Sequence, residues 1–496
     1  RFNGGQLAFT YTPPSGFKAL STANLPAPGI DPAEGENPTE HFDTVLYTGT
    51  GSTTEISSLS FQPDWLWFKR RSSADNHTNW DSVRGANKVL KPNESGAEGT
   101  DTSQLSSFDD DGFTLLSGGD VNASSVTFAA WCWNAGGTEQ TATYVVKVVS
   151  DSGNKYRFDD FGSSAITLEL SEGGTYRFDQ SDSSNSGHPL RFSTTSNGTH
   201  GGGSEYTTGV TTNGTPGSAG AYTEITVASG APTLYYYCTQ HSGMGGQANT
   251  PSTKGYTNVK GTIQSKVVVN DTAGLSIVSY SGSGSDSTVG HGLSAKPEMF
   301  WIKNRDRSAQ WSVYHEDIGA TKFIELSTNA GEFSDEPTFN NTEPTATVFS
   351  VGSGSNGTNA SGEDLIAYCF HSVEGFSKFG SYLEHYISDS DSETAYDRTS
   401  PYIHTGFRPA FLMIKGTSSG RDWVIYDNKR TPDDGVYLTA NQNSAEQTDA
   451  TNHDISFLSN GFKIRGGSGD INTTNESYVY MAFADQPFKF ANGGTE

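Results

Sequence analysis

Cysteine is nearly missing from this chain: three residues in 496, an odd number that excludes a fully paired disulfide framework. Methionine is rarer than tryptophan, 4 against 8, so few sulfur side chains stand open to oxidation. Basic residues are outnumbered 31 to 56, leaving a net charge of −25. Such a surface repels phosphate backbones and anionic lipid, which argues against nucleic-acid binding. No run of 18 apolar residues is present, so neither a membrane-spanning helix nor membrane insertion is expected. Extended 3.6-residue periodicity and coiled-coil heptads are also missing. So are a Gly-x-Ser-x-Gly elbow and a His-Glu-x-x-His helix, and with them two common signatures of hydrolases. No secretory leader is expected, and since the chain opens on Arg1 the numbering is expected to begin inside a longer or processed polypeptide.

What is present is glycine (57 residues) and aromatics (12%). Short aromatic and β-branched runs alternate with Gly, Asn, Ser and Asp turns, the pattern of β-sandwiches. The length asks for several domains, and internal similarity supplies three. SFQPDWLWFKRR (60–71), SAKPEMFWIKNR (294–305) and GFRPAFLMIKGT (406–417) each place a Lys six residues after a Pro, as Pro63/Lys69, Pro297/Lys303 and Pro409/Lys415. A Trp segment follows in each, around Trp80, Trp311 and Trp423. Its shared Trp reads as a core anchor, with a sugar-stacking platform as the alternative. Each copy closes on an apolar strand, VTFAAWCW, DLIAYCF or YVYMAF, preceded by DVNASS, GTNASGE or DINTTNE. Closing strands that are apolar at nearly every position are expected to be buried on both faces. Cys132 and Cys369 match Ala482, so that position asks for a small buried side chain. The one basic cluster, Lys69, Arg70 and Arg71, reads as the solvated end of a strand, and the Asp109–Asp110–Asp111 run as an exposed turn.

The expected organisation is an all-β string of sandwiches. Residues 26–40 are a Pro/Gly linker, and 41–137, 272–378 and 379–490 are three repeated, jelly-roll-like sandwiches. Residues 138–255 form a different, inserted sandwich, followed by a linker over 256–271. In the insertion, YYYCTQHSGMGG (235–246) sets Cys238, His241 and Met244 just after an aromatic strand, and GHPLRFS sets His188 upstream. Two imidazoles, a thiolate and a thioether are the donors of a type 1 copper site. These residues and their order resemble the cupredoxin family, and the Cys-x2-His-x2-Met spacing is similar to its amicyanin branch. The resemblance covers about a fifth of the chain. It implies a Greek-key sandwich with His188 and His241 as equatorial nitrogens, Cys238 as thiolate and Met244 as axial sulfur, with copper as cofactor. Gln240, where cupredoxins often carry Pro, and the long stretch SNGTHGGGSEYTTG after His188 both depart from the pattern and put the loop's rigidity in question.

The runs FQPDWLWFKRRSSADNHTNWDSVRG and GFTLLSGGDVNASSVTFAAWCWNAGG resemble a domain of unknown function found in structural proteins of marine bacteriophages. FTYTPPSGFKALSTANLPAP resembles the C-terminal end of a SPRY domain, expected over 1–25. Together these resemblances imply a virion structural protein, a tail fibre or similar appendage on the extracellular virion surface. It would act in host attachment, with a host-surface glycan or protein and other virion proteins as partners and a homotrimer as its assembly. A non-enzymatic role follows from that resemblance. Two alternatives stay open: a polysaccharide-degrading tail enzyme, and a copper redox module within a surface protein.

Overall fold

Aromatic and β-branched runs cut by Gly and Asn turns favour extended backbone, and strands form almost all the regular structure. The computed structural model describes residues 27–136, 140–334, 336–354, 357–383, 401–418, 420–473 and 475–489, so the SPRY-like stretch over 1–25 lies outside the described residues. The protein is all-β, built of several sandwiches, and among the described residues its α-helices are single turns. Among these residues no helix is long and apolar enough to cross a membrane.

Each repeat forms the same antiparallel sheet. An opening strand (Phe42–Thr48, Leu275–Ser281 or Ser377–Leu383) pairs with the closing strand (Thr127–Trp133, Asp364–Phe370 or Ser477–Pro487). The closing strand pairs with the strand that carries the Lys (Trp65–Arg70, Met299–Asn304 or Phe407–Gly416). That strand in turn pairs with Thr78–Asp81, Ser312–His315 or Trp423–Asp427. The segment expected as a linker over 256–271 is instead part of this architecture. Tyr256–Asn258 and Ser265–Asn270 add two strands to the sheet of the second repeat, with Val267 opposite Val278. The Pro/Gly segment before Phe42 is docked as well: Ile30 is fully buried and the Gly29 N–H donates to the Glu374 carbonyl at 2.8 Å.

Side chains alternate across each sheet, and both faces are buried. In the first repeat Leu66, Phe68, Ala130 and Cys132 pack inside their own sandwich against Phe113 and Leu115. Trp65, Trp67, Trp131 and Trp133 point the other way. There they meet Trp301, Tyr368 and Phe370 of the second repeat and Phe411, Met413, Met481 and Phe483 of the third in one continuous core. Trp65 stacks on Tyr368 with ring centroids 4.7 Å apart, and Phe42 stacks on Phe483 at 5.2 Å. The sandwiches are therefore gathered around a common aromatic centre rather than strung apart.

The arrangement has an internal threefold character that individual hydrogen bonds record. Trp311 Nε1 donates to the Lys91 carbonyl, Trp423 Nε1 donates to the Glu325 carbonyl, and His77 Nε2 lies 3.0 Å from the Thr439 carbonyl. Each bond joins one repeat to the next, and the third closes the ring. A second set repeats the order: Glu98 N–H to Arg305 O, Glu332 N–H to Thr417 O and Glu446 N–H to Arg71 O, at 2.8–2.9 Å. The strand register makes Trp80, Tyr314 and Tyr426 equivalent, because they face Leu66, Phe300 and Leu412. Trp311 and Trp423 thus match His77, not Trp80. All eight tryptophans are buried, so none forms a sugar-stacking platform.

The basic cluster at 69–71 is not a solvated strand end. Lys69, Lys303 and Lys415 are each fully buried, with Nζ donating to nearby backbone carbonyls, and burial pulls all three amines down to about 8. Arg71 reaches Glu446 of the third repeat with two bonds of 2.8 and 2.9 Å. Cys132 and Cys369 are free and buried, as a small core position requires. Asn122 and Asn359, in the stretch before each closing strand, are buried staples that hold the loop after the opening strand.

One pH response follows from the core. Burial pulls His291 and His315 down to about 4, whereas an unfolded imidazole titrates near 6.5. Between those values the unfolded chain holds more protons, so stability falls as pH is lowered through the window. The slope is about 1.4 kcal/mol per pH unit for each group. The urea midpoint is expected to be clearly lower at pH 5 than at pH 7, and equal midpoints would contradict the assignment.

Candidate metal centre

The inserted sandwich carries its own core, formed by Tyr144, Phe158, Phe178, Phe192, Tyr236 and their neighbours. Its two sheets run Asn154–Phe158, Thr141–Ser150, Thr175–Asp179, Tyr222–Thr226, Val210–Asn213 and Leu168–Glu169, Gln247–Asn249, Leu234–Cys238, Leu190–Ser193, Glu205–Tyr206. Antiparallel pairing of Leu190–Ser193 with Leu234–Cys238 brings the segment before Leu190 beside the end of that strand, with Leu190 directly opposite Cys238. That pairing delivers His188 to the same end of the sandwich as Cys238.

The loop after Cys238 turns back at once. Gly245 is required there, because a Cβ would come within 1.7 Å of the Tyr236 carbonyl. The fold brings three of the four residues singled out in the sequence into one donor set. Cys238 Sγ lies 3.8 Å from His188 Nδ1 and 3.7 Å from His241 Nδ1. All three donor atoms lie within 4.8 Å of one another. Donors about 2.0–2.3 Å from an ion in a trigonal plane are separated by roughly 3.7 Å, so the spacing fits one ion. Cys238 is fully buried, while His241 is exposed. Burial and the neighbouring His241 lower the His188 pKa, which favours the neutral form that ligates. Met244, the expected axial sulfur, is buried in the core of this sandwich. Among the described residues no other group of His, Cys, Asp and Glu is gathered in this way.

Tyr156 ties the donor-bearing segments together. Its hydroxyl donates to the His188 carbonyl at 2.9 Å and its N–H donates to the Met244 carbonyl at 3.0 Å. Burial, and then the neighbouring Cys238 sulfur, raise the Tyr156 pKa well above the usual phenol value. Gln180 Nε2 donates to the same His188 carbonyl at 2.8 Å. Neither residue belongs to a motif. Tyr156 could have been noticed only as an apolar position of the strand Asn154–Phe158.

Among protein families, the one described as Domain of unknown function (DUF7483) matches residues 37–156 and 248–487. The interruption falls within the inserted sandwich, and the two matched parts take in all three repeats as a single unit. No curated protein and no solved structure matches the chain.

Proposed function

Because the chain belongs to the Domain of unknown function (DUF7483) family, whose description assigns no activity, we propose its role from the arrangement of its residues: a rigid three-sandwich scaffold whose inserted sandwich holds one copper ion. The observation that carries this is the set of donor spacings, 3.7 and 3.8 Å around Cys238 Sγ. His188, Cys238 and His241 would hold the ion, and Met244, buried in the same sandwich, is the expected further sulfur donor. A soft thiolate with two imidazoles suits copper better than hard cations. Bound copper would supply either one-electron chemistry or a structural tie. The tie fits an insertion packed on a large scaffold, since binding energy adds to folding energy. The protein's own groups fix the donors: Tyr156 and Gln180 position the His188 segment, and the glycines of the loop permit the tight turn.

The finer reading is a structural protein of a phage virion, in a tail fibre or similar appendage at the virion surface. It would attach to a host-surface glycan or protein by loops displayed on the sandwiches. Its support is the likeness of the repeats to phage structural modules and the acidic, closed scaffold. Other virion proteins are the expected partners and a homotrimer the expected assembly.

Elemental analysis of the purified chain and a visible spectrum after adding copper(II) test the metal reading. Stoichiometric copper with an intense thiolate charge-transfer band is expected, and Cys238→Ser should lose the band. A wild-type protein with no copper and no band removes the reading.

A further inference from the structure

The Cys238–Met244 loop is a surface loop: Gln240, His241, Ser242 and Gly243 are all exposed. Loops of this kind are mobile unless tied down, whereas a metal site needs its donors held to about 0.5 Å. The sequence offers no Pro at 240 to stiffen it. The stiffening comes from the long stretch after His188. Its one-turn 3-10 helix, Gly198–Gly201, lies against the strand that ends in Cys238. A Cβ at Gly198 would come within 2.4 Å of the Tyr237 ring, so the two segments are in close contact. Asn197 caps this turn at a φ of +61°. Its Oδ1 accepts the Gly243 N–H at 2.7 Å and its Nδ2 donates to Ser242 Oγ at 2.7 Å. His200 Nε2 lies 3.0 Å from the Cys238 carbonyl. Lys155 Nζ also donates to the Gly243 carbonyl.

We propose that the 196–209 insertion is a clamp on the donor loop, with Asn197 and His200 as positioning residues that set His241 against Cys238 before any metal arrives. The purpose of the clamp rests on the copper reading, but the lock itself is a property of the metal-free chain. Asn197 is suited to the task twice over. Its side chain offers a donor and an acceptor at once, and Asn tolerates the left-handed backbone better than most residues.

That backbone dictates the test. Asn197→Ala would add strain to the loss of the side chain, whereas Asn197→Gly accepts the positive φ and deletes only the staple. Asn197→Asp keeps the acceptor for Gly243 and can accept from the Ser242 hydroxyl, so it serves as the rescue. In the metal-free full chain, amide exchange at Gly243 is expected to speed up roughly tenfold or more in Asn197→Gly, from the loss of two hydrogen bonds. Asn197→Asp should stay close to wild type. With copper(II) added, the Gly variant should still take up the ion but with a displaced and weakened thiolate band, restored in the Asp variant. Unchanged exchange in Asn197→Gly overturns the clamp. A copper spectrum identical to wild type, alongside faster exchange, overturns its role in positioning. If wild type itself shows no band, the copper reading falls and the exchange data alone decide whether the lock exists.

Discussion

A chain cut after residue 376 is expected to lose its cooperative fold, not to shorten by one bead. Separate sandwiches on linkers would leave residues 27–376 intact, and the repeat pattern in the sequence suggests that outcome. The common core predicts the opposite. Removing the third repeat strips Phe411, Met413, Met481 and Phe483 from the centre and uncovers Trp131, Trp133 and Phe42, which pack against them. Each large apolar side chain taken from full burial to water costs about 1.5–3 kcal/mol. Several together exceed the about 5–15 kcal/mol by which a folded domain is usually stable. The Arg71–Glu446 and His77–Thr439 links go as well. The truncated chain should show no sharp calorimetric transition and a lost near-ultraviolet signal from its tryptophans. Replacing residues 141–255 with a short Gly/Ser connector is the control. The insertion has its own core, and the family match passes over most of it, so the three repeats should still unfold as one unit. A truncated chain that melts sharply near the wild-type temperature would refute the shared core.

Why the sequence pointed to beads is a matter of register. A strand apolar on both faces, such as VTFAAWCW, reads the same whether its second face meets its own partner sheet or another repeat. The three repeats were legible because Pro, Lys and the closing strand recur at fixed spacing. The grouping of Trp80 with Trp311 and Trp423 was wrong by three residues, because a shared residue type outweighed the pairing that places His77 at that position. Lys69 looked solvated because carbonyls that cage an ammonium carry no sequence signature. The strands Tyr256–Asn258 and Ser265–Asn270 fall where the sequence suggests a linker over 256–271, although KVVV is strongly β-forming, because no matching segment opens the other repeats. At the metal centre the donor types and their order were visible. The clamp was not, because a single Asn in a Gly-rich stretch acquires its meaning only from a left-handed backbone and a loop folded against it.

The second large effect is expected at the junctions between repeats, which are built in two different ways. Asp427 and Arg430 of the third repeat are wholly buried and joined at 2.6 Å. Trp131 of the first repeat donates its Nε1–H to the same carboxylate oxygen at 2.9 Å, and the Arg430 guanidinium lies 5.6 Å from its ring centroid. Asp81 and Arg84 repeat this arrangement toward Tyr368 of the second repeat, whose hydroxyl donates to Asp81 Oδ2 at 2.6 Å. At the remaining junction the equivalent positions are His315 and Ile318, packed beside the third repeat. Arg430→Leu leaves the buried carboxylate without its cation, with the Trp131 indole and the Lys429 backbone N–H as its remaining donors, and a loss of about 3–5 kcal/mol is expected from the urea midpoint. The double change Asp427→His with Arg430→Ile installs the chain's own uncharged solution and still offers Trp131 an acceptor. It should cost clearly less than the two single changes summed, with a coupling of about 1–3 kcal/mol. Additive costs would show that the pair acts as two independent residues. A cost below about 1 kcal/mol for Arg430→Leu would show that the carboxylate finds water or another partner. If the double variant also unfolds less sharply than wild type, the charged pairs do more than hold. Three sandwiches so alike could close around one core in more than one way, and two charged junctions beside one uncharged junction would select a single arrangement.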